Sequence, residues 1–200
     1  MLPLYDTLAL ARALLGTVLV KENPDGTRLA GRIVETEAYL HDDPGCHAFR
    51  GQTKRNATMF DEAGCFYVYL IYGMYHCLNV VSNKSGLGEA VLIRAIQPLE
   101  GQEEMATRRN TDKVRNLCSG PGKLMQAFGL DLTTNGQSVF TPPLHIVTAA
   151  EFGIDIDTTN DNKTIAANTD IVVTTRIGLS TGSELPYRFY LRDNVWISKK

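Results

Sequence analysis

A stretch of alternating residues, Gly31–Leu40, constrains this chain most, because it has the period of a β-strand and carries two carboxylates. Successive side chains on a strand point to opposite faces, so Ile33, Glu35, Glu37 and Tyr39 are predicted to share one face. The opposite face is mostly apolar and is predicted to enter the core: Val34, Thr36, Ala38 and Leu40. Glutamate is disfavoured in strands, so two in close succession indicate either a solvated face or a functional site.

The composition is that of an ordinary globular protein. The chain has 200 residues, of which 44% are hydrophobic and 21% charged, and this predicts a single domain over residues 1–200. The formal net charge of −2 excludes a global positive field. Any polyanionic partner would therefore have to be bound by a local basic patch.

The four cysteines indicate free thiols. Cys46, Cys65, Cys77 and Cys118 lack the close pairs of a zinc site and are too sparse for a disulfide framework. Reduced cysteines are typical of a cytoplasmic protein, and the N-terminal segment has no leading basic cluster that would mark a signal peptide. The spacing of the cysteines leads us to expect no metal site. No apolar run has the length of a membrane span, so we expect no membrane association.

Periodicity and turn signals divide the chain into helices and strands. The predicted helices are Thr7–Leu15, Glu100–Asn110 and Pro121–Phe128. Besides Gly31–Leu40, the predicted strands are Thr17–Lys21, two strands within Phe66–Ser82, Glu89–Ile96, Leu144–Thr148, Ile171–Ile177, Arg188–Leu191 and Val195–Ser198. This order predicts an α+β fold, a single domain in which a curved, mostly antiparallel sheet, like an open barrel or roll, is surrounded by helices.

A tyrosine-rich hairpin is the second informative stretch. Four tyrosines fall between Tyr67 and Tyr75, and stripes of this kind usually pack in a core. Tyr72 differs, because it stands beside Gly73, where the hairpin should reverse and a ring has little core to enter. An aromatic residue at such a tip can wedge between base pairs.

Two polar segments carry clustered basic residues. The long connection from His41 to Ala63 holds His47, Lys54 and Arg55, and long loops inside a compact domain are usually functional. The turn Ser119–Lys123 opens a helix whose free N–H groups can bind a phosphate, although a simple helix cap with solvated lysines explains it equally well.

Arg94 is a charge inside an apolar strand, and such an arginine is normally paired with a carboxylate, here Glu35 or Glu37. Aromatic rings, a carboxylate, an embedded arginine and local basic patches together fit an enzyme that holds a base between rings and acts at its sugar. Cleavage of an N-glycosidic bond needs water activated by a carboxylate, whose charge also stabilises the oxocarbenium-like transition state, and it needs no metal.

Several segments closely resemble the alkyladenine DNA glycosylases, a family also called 3-methyladenine or methylpurine DNA glycosylases. These segments are Val34–Tyr39, Tyr67–Tyr75, Leu117–Pro121, Arg176–Gly178 and Arg188–Tyr190. The resemblance implies a mixed α/β domain that binds the minor groove of double-stranded DNA and flips out an alkylated purine such as 3-methyladenine. It further implies that the enzyme hydrolyses the glycosidic bond and so initiates base excision repair.

The resemblance also implies roles for individual residues. Glu37 corresponds to the general base, and Arg94 and the backbone of Ile177 correspond to groups that help hold the attacking water. The pocket for the flipped base would be formed by Tyr39, His47, Tyr69 and Asn79. Tyr72 corresponds to the intercalating residue. Contacts with the DNA backbone are expected from Lys54, Arg55, Ser119, Gly120 and Lys123.

From the resemblance we expect a monofunctional, monomeric enzyme without a cofactor, associated with the nucleoid in a bacterium or located in the nucleus in a eukaryote. Two alternatives remain open. A carbohydrate glycosidase would also use two carboxylates and aromatic platforms, but it gives the basic clusters and Tyr72 no task. A non-catalytic nucleic-acid-binding module explains those features through stacking but gives no role to Glu37.

Overall fold

The computed structural model describes residues 1–154 and 170–199, and its strands form one antiparallel sheet. The strands are β1 Val18–Glu22, β2 Arg28–Tyr39, β3 Phe66–Ile71, β4 Tyr75–Ser82, β5 Glu89–Glu100, β6 Leu144–Val147, β7 Ile171–Thr174 and β8 Arg188–Leu191. The α-helices of the described residues are α1 Thr7–Ala13, α2 Gln102–Arg109 and α3 Pro121–Phe128. This curled antiparallel sheet with helices packed around it confirms the predicted α+β class.

β2 is the central strand of the sheet. The strand order is β3-β4-β5-β2-β1-β6, and β8 pairs with both β2 and β7. One edge of β2 pairs with β5, while the other pairs first with β1 and then, at Glu35–Glu37, with β8. Every residue from Leu29 to Ala38 is buried. Both glutamates are therefore buried, and this excludes the interpretation that they lie on a solvated face of the strand.

The pleat of the sheet separates the main core from a cavity. On β5, Val91 and Ile93 enter the core, whereas Ala90, Leu92 and Arg94 line the cavity. The helices and the residue that ends α1 supply large apolar side chains on the core side: Leu10, Leu14, Leu124, Met125 and Phe128. Burial of each such side chain contributes about 1.5–3 kcal/mol, so the core gives the cavity a rigid floor.

The pairing of β2 with β5 shifts register at Glu35. Ile33 pairs with Ile96 but Glu35 pairs with Ala95, which leaves Val34 without a partner residue. Such a shift reverses the faces of the residues on one side of it. Ile33 accordingly enters the main core, and Val34 packs against Ala95 on the opposite side. The prediction that Ile33 shares a face with the glutamates is wrong for this reason.

Two predicted strands differ from the structure, one in its end and the other in its conformation. β7 ends at Thr174 rather than Ile177, and Val195–Ser198 forms a turn instead of a strand. The backbone N–H of Ser198 donates to the Glu35 carboxylate at 2.6 Å rather than to a neighbouring strand. A buried carboxylate has taken the place of a strand partner, which apolar alternation alone does not reveal.

Candidate active site

The Glu37 carboxylate is fully buried and is held from three sides. The hydroxyl of Tyr39 donates to its Oε2 at 2.8 Å, and the backbone N–H of Ile177 donates to Oε1 at 2.9 Å. Arg94 Nη1 lies 3.3 Å from the same Oε1 atom. A carboxylate oriented by two donors and a nearby cation can stay in place beside a substrate and accept a proton.

Glu35, two residues earlier on β2, has a different environment. Its carboxylate accepts hydrogen bonds from Arg188 Nη1 at 3.0 Å and from both the backbone N–H and the hydroxyl of Ser198. Arg94 Nε lies 3.4 Å from it. Burial raises the pKa of Glu35, and the bonds from Ser198 and the two arginines oppose that rise. Enclosed in this way, Glu35 has no face open to a ligand.

Arg94 bridges the two carboxylates. Glu35 pairs with Ala95 and Thr36 pairs with Ile93, so Arg94 is an extra residue of β5 at a bulge. Its Nε also donates to the Ser198 hydroxyl at 3.1 Å. The predicted pairing of this embedded arginine with a carboxylate is confirmed, and it involves both glutamates.

A cavity of about 630 Å³ opens beside this carboxylate cluster. It is lined by every residue that the resemblance placed in the base pocket: Tyr39, His47, Tyr69 and Asn79. Strands β2, β3 and β4 supply the rings of Tyr39 and Tyr69 and the amide of Asn79, while the loop after β2 supplies His47. A volume of this size accommodates a flat bicyclic ring.

His47 and Tyr69 are in direct contact across the cavity. Their ring centroids are 4.4 Å apart with the planes at 76°, and His47 Nδ1 lies 3.2 Å from the Tyr67 hydroxyl. Although His47 is exposed overall, partial burial of its ring, followed by the charge of Arg55, lowers its pKa. Burial likewise raises the pKa values of Tyr39, Tyr67 and Tyr69. These four rings of the cavity wall are therefore neutral at physiological pH.

The tip of the β3–β4 hairpin stands at the mouth of the cavity. Tyr72 is 78% exposed there, and Met74 beside it is 66% exposed. Tyr72 and Gly73 both have positive φ, at 53° and 69°, the sign pattern of a type I′ hairpin turn. The predicted position of Tyr72 at the tip is confirmed. A tyrosine held in this uncommon backbone conformation and left in solvent has no packing role.

The basic residues are distributed around the cavity. Gly120 and Lys123, at the start of α3, line its rim, and Lys123 Nζ bonds the Ser119 hydroxyl at 3.2 Å. Lys54 is exposed in the loop before β3. Arg55 donates to the Leu70 carbonyl at 2.8 Å, which covers an open edge of β3. Of these basic residues, Lys123 lines the cavity, whereas Lys54 and Arg55 are not among its lining residues.

The sequence had given two groups of this region no role in the cavity. Arg109 and Gln126, from α2 and α3, also line the cavity and bond each other. Arg176 and Asp43 form a buried ion pair behind Ile177. A signal for Arg176 was present, because it is a charge directly after a run of β-branched residues, but its partner lies 133 residues away in the chain.

Among the described residues, no group of three or more His, Cys, Asp or Glu side chains is placed to hold a metal ion. In the same part of the chain, no helix is both long and apolar enough to cross a membrane.

A buried carboxylate that is held by three residues of a largely aromatic cavity is an arrangement suited to general acid–base chemistry. The chain matches the family model described as methylpurine-DNA glycosylase over residues 3–195. It is 46% identical over 195 residues to a protein of Carboxydothermus hydrogenoformans, covering 98% of this chain and 95% of that relative. A Methanoculleus marisnigri protein is 45% identical over 195 residues, at 98% and 95% coverage. A Francisella tularensis protein is 43% identical over 194 residues, at 97% and 94% coverage.

All three relatives bear the name "Putative 3-methyladenine DNA glycosylase". The chain belongs to the methylpurine-DNA glycosylase family, as its sequence motifs predicted.

Proposed function

We propose that this protein is a DNA glycosylase that flips an alkylated purine such as 3-methyladenine out of double-stranded DNA and hydrolyses its N-glycosidic bond, initiating base excision repair. The observation that carries the proposal is the buried Glu37 carboxylate, held by Tyr39 and Ile177, which both line the aromatic cavity. The protein would act as a monomer with one domain over residues 1–200, and without a cofactor.

Glu37 would act as the general base. A water molecule between the carboxylate and the sugar would lose its proton to Glu37 and attack the anomeric carbon, while the bond to the purine breaks. The negative charge of Glu37 would also stabilise the oxocarbenium character that develops on the sugar. Arg94, 3.3 Å from the carboxylate and on the wall of the cavity, is placed to orient that water.

The neutral aromatic rings of the cavity wall suit the binding of an alkylated base. Alkylation of a ring nitrogen gives a purine a positive charge, which is attracted to the faces of tyrosine rings and makes the base a better leaving group. A base stacked between two rings needs about 7 Å between them, twice a van der Waals contact. Because His47 and Tyr69 are only 4.4 Å apart, binding would require the His47 ring to turn aside.

The two alternative functions explain less of the site. A carbohydrate glycosidase would need a second carboxylate near the substrate, but Glu35 is enclosed by Arg188, Arg94 and Ser198. A non-catalytic DNA-binding module would not place a buried carboxylate where a polyanion binds, since the charge would only weaken binding.

The decisive experiment uses methylated duplex DNA with EDTA present. We expect release of free 3-methyladenine, measured by chromatography, with abasic sites left in an otherwise intact strand. Water as the nucleophile means that borohydride should trap no covalent enzyme–DNA adduct. Absence of any released purine would contradict the proposed activity, and a trapped adduct would contradict its monofunctional chemistry.

A further inference from the structure

Arg176 is the most completely enclosed arginine of the site region, with a side chain that has no exposed surface. Its guanidinium bonds both carboxylate oxygens of Asp43, and it donates to the carbonyl oxygens of Ala38 at 3.0 Å and Gly182 at 2.9 Å. It also lies over the ring of Tyr39, 4.6 Å from the centroid. One side chain therefore joins β2 to two separate loops.

Those two loops form one wall of the cavity. Gly45 follows Asp43, and Ile177, Gly178 and Leu179 follow Arg176; all four line the cavity. The loops close tightly around the guanidinium. A Cβ on Gly45 would lie 3.1 Å from Arg176 Nη2, and one on Gly182 would lie 2.6 Å from Asp43 Oδ1. A side chain at Gly182 would therefore collide with the ion pair, and one at Gly45 would be tight against both the ion pair and the Thr181 carbonyl.

The arginine reaches Glu37 by two routes. The Nη1 atom of Arg176 donates to the carbonyl of Ala38, which follows Glu37 in the chain. Ile177, which follows Arg176, donates its N–H to the Glu37 carboxylate. The Tyr39 ring on which the guanidinium stacks donates its hydroxyl to the other carboxylate oxygen. Two of the three groups that hold Glu37 are thus placed by Arg176.

Resting on the proposed function, we infer that Arg176 and Asp43 are positioning residues for base hydrolysis, which hold the Ile177 N–H and the Tyr39 ring against Glu37. Neither residue reaches the substrate. Their task is to keep the carboxylate in one orientation, because small displacements of a general base from its water lower the rate steeply.

Arg176→Lys and Asp43→Asn test this inference with conservative changes. A lysine keeps the positive charge but cannot bond Ala38, Asp43 and Gly182 together, and asparagine keeps the shape of Asp43 without its charge. We expect each to lower the single-turnover rate of 3-methyladenine release about 10- to 100-fold. Affinity for a duplex with an abasic-site analogue should stay near the wild-type value, because neither residue contacts DNA.

Two control variants separate positioning from lost stability. Thr181→Val removes the bond from Thr181 to the Pro44 carbonyl, which joins the same two loops at 3.1 Å without touching the arginine. Ile146→Ala lowers stability from β6, at the far end of the sheet. Both should retain the wild-type rate. Rates for Arg176→Lys and Asp43→Asn that match these controls would overturn the inference.

Hydrogen exchange at the Ile177 amide gives a readout that does not depend on activity. We expect NMR to show faster exchange at this N–H in Arg176→Lys and Asp43→Asn, but not in Thr181→Val. Unchanged protection would overturn the inference even if the wild-type protein released no purine. Loss of protection in a protein that releases no purine would show that the proposed function had failed while the positioning geometry held.

Discussion

Glu35 and Glu37 leave the same face of β2, and their partners give them different tasks. Glu37 is bonded by the Tyr39 hydroxyl and the Ile177 N–H, and both of these residues line the cavity. Glu35 is bonded by Arg188 and by the turn at Ser198, neither of which is among the lining residues. The first arrangement suits a base and the second suits a structural ion pair.

Glutamine substitution of each glutamate tests this assignment. Glu37→Gln keeps the shape of the side chain but removes the base, so we expect single-turnover release of 3-methyladenine to fall about 10²- to 10⁴-fold with binding to damaged DNA retained. Glu35→Gln should keep measurable cleavage but lower the free energy of unfolding by up to roughly 3–5 kcal/mol, since it disrupts a buried ion pair. A folded but inactive Glu35→Gln protein beside an active Glu37→Gln protein would reverse the assignment.

His41 and Glu89 form a second buried-carboxylate contact, just after β2, where the loop that carries His47 begins. Glu89 is buried and bonds Thr7, Asn83 and the imidazole of His41, with His41 Nδ1 at 2.5 Å. Hydrogen bonding to Glu89 raises the pKa of His41. Burial alone would raise the pKa of Glu89, but the bonds from these partners outweigh burial and lower it. Glu89 is therefore ionised throughout the range in which His41 titrates.

Stability should depend on pH through this pair. Because the pKa of His41 is raised by folding, its pairing stabilises the protein fully below the unfolded-state pKa of about 6.5 and is lost as pH rises through the folded-state value. We expect the Tm of the wild-type protein to be higher than that of His41→Gln. This difference in Tm should be largest near about pH 6 and should close towards about pH 9. Calorimetry across this range measures the gap, and a gap that widens with pH would contradict the prediction.

At the scale of elements, the β3–β4 hairpin combines strands that are anchored in the core with a turn that is exposed to solvent. Phe66 and Val68 anchor β3 in the core, whereas Tyr72 stands in solvent on a turn with positive φ. The strands fix the tip relative to the cavity, whose mouth Tyr72 lines. A rigid hairpin can deliver a wedge to one place, which a flexible loop could not do without an added entropic cost.

We expect Tyr72→Ala to weaken binding to damaged duplex DNA by about 1–3 kcal/mol, because the ring would fill the space that the flipped nucleotide leaves. Tyr72 is exposed, so the Tm should not change. Tyr72→Phe keeps the ring and serves as the matched control, with binding close to wild type. Fluorescence of 2-aminopurine next to the lesion reports flipping, and an unchanged signal in Tyr72→Ala would exclude the wedge role.

At the scale of the whole molecule, the net charge of −2 means that a polyanion would have to be bound by local basic groups. Lys54 is exposed in the loop between β2 and β3, whereas Lys123 lies at the start of α3 and lines the cavity. Some other basic residues are already engaged within the protein. Arg108 pairs with Glu104 and donates to the Ala127 carbonyl at 3.4 Å, so it joins α2 to α3. The two lysines are therefore the better probes of contact with DNA.

The salt dependence of DNA binding tests this arrangement. Each phosphate contact that is lost lowers the slope of log K against log salt by about 0.9, because fewer counterions are released on binding. Lys54→Ala combined with Lys123→Ala should flatten the slope by up to about 2 if both lysines contact phosphates. Arg28→Ala, at the opposite end of β2 from Tyr39, is the control and should leave the slope unchanged. An unchanged slope in the double variant would place the DNA elsewhere.

The sequence by itself determined the elements and most members of the candidate site. The bounds of α3 and β8 follow from local signals, such as Pro121 at the helix start and Gly129 at its end, which act within one or two turns of chain. The alternation Glu35, Glu37, Tyr39 survives in the structure because the extra residue of β2, Val34, precedes Glu35, and the extra residue of the next bulge, Arg94, belongs to β5. Local periodicity is sufficient where each residue depends only on its neighbours.

Only the tertiary structure decided which glutamate is held by the cavity wall and which groups hold it. The register shift that sends Ile33 into the core depends on pairing with β5, about sixty residues later in the chain. The turn at Ser198 that encloses Glu35, and the Arg176–Asp43 pair behind Ile177, join residues more than 130 positions apart. A buried charge is stabilised by whichever partner the fold brings to it, and no local pattern records that partner.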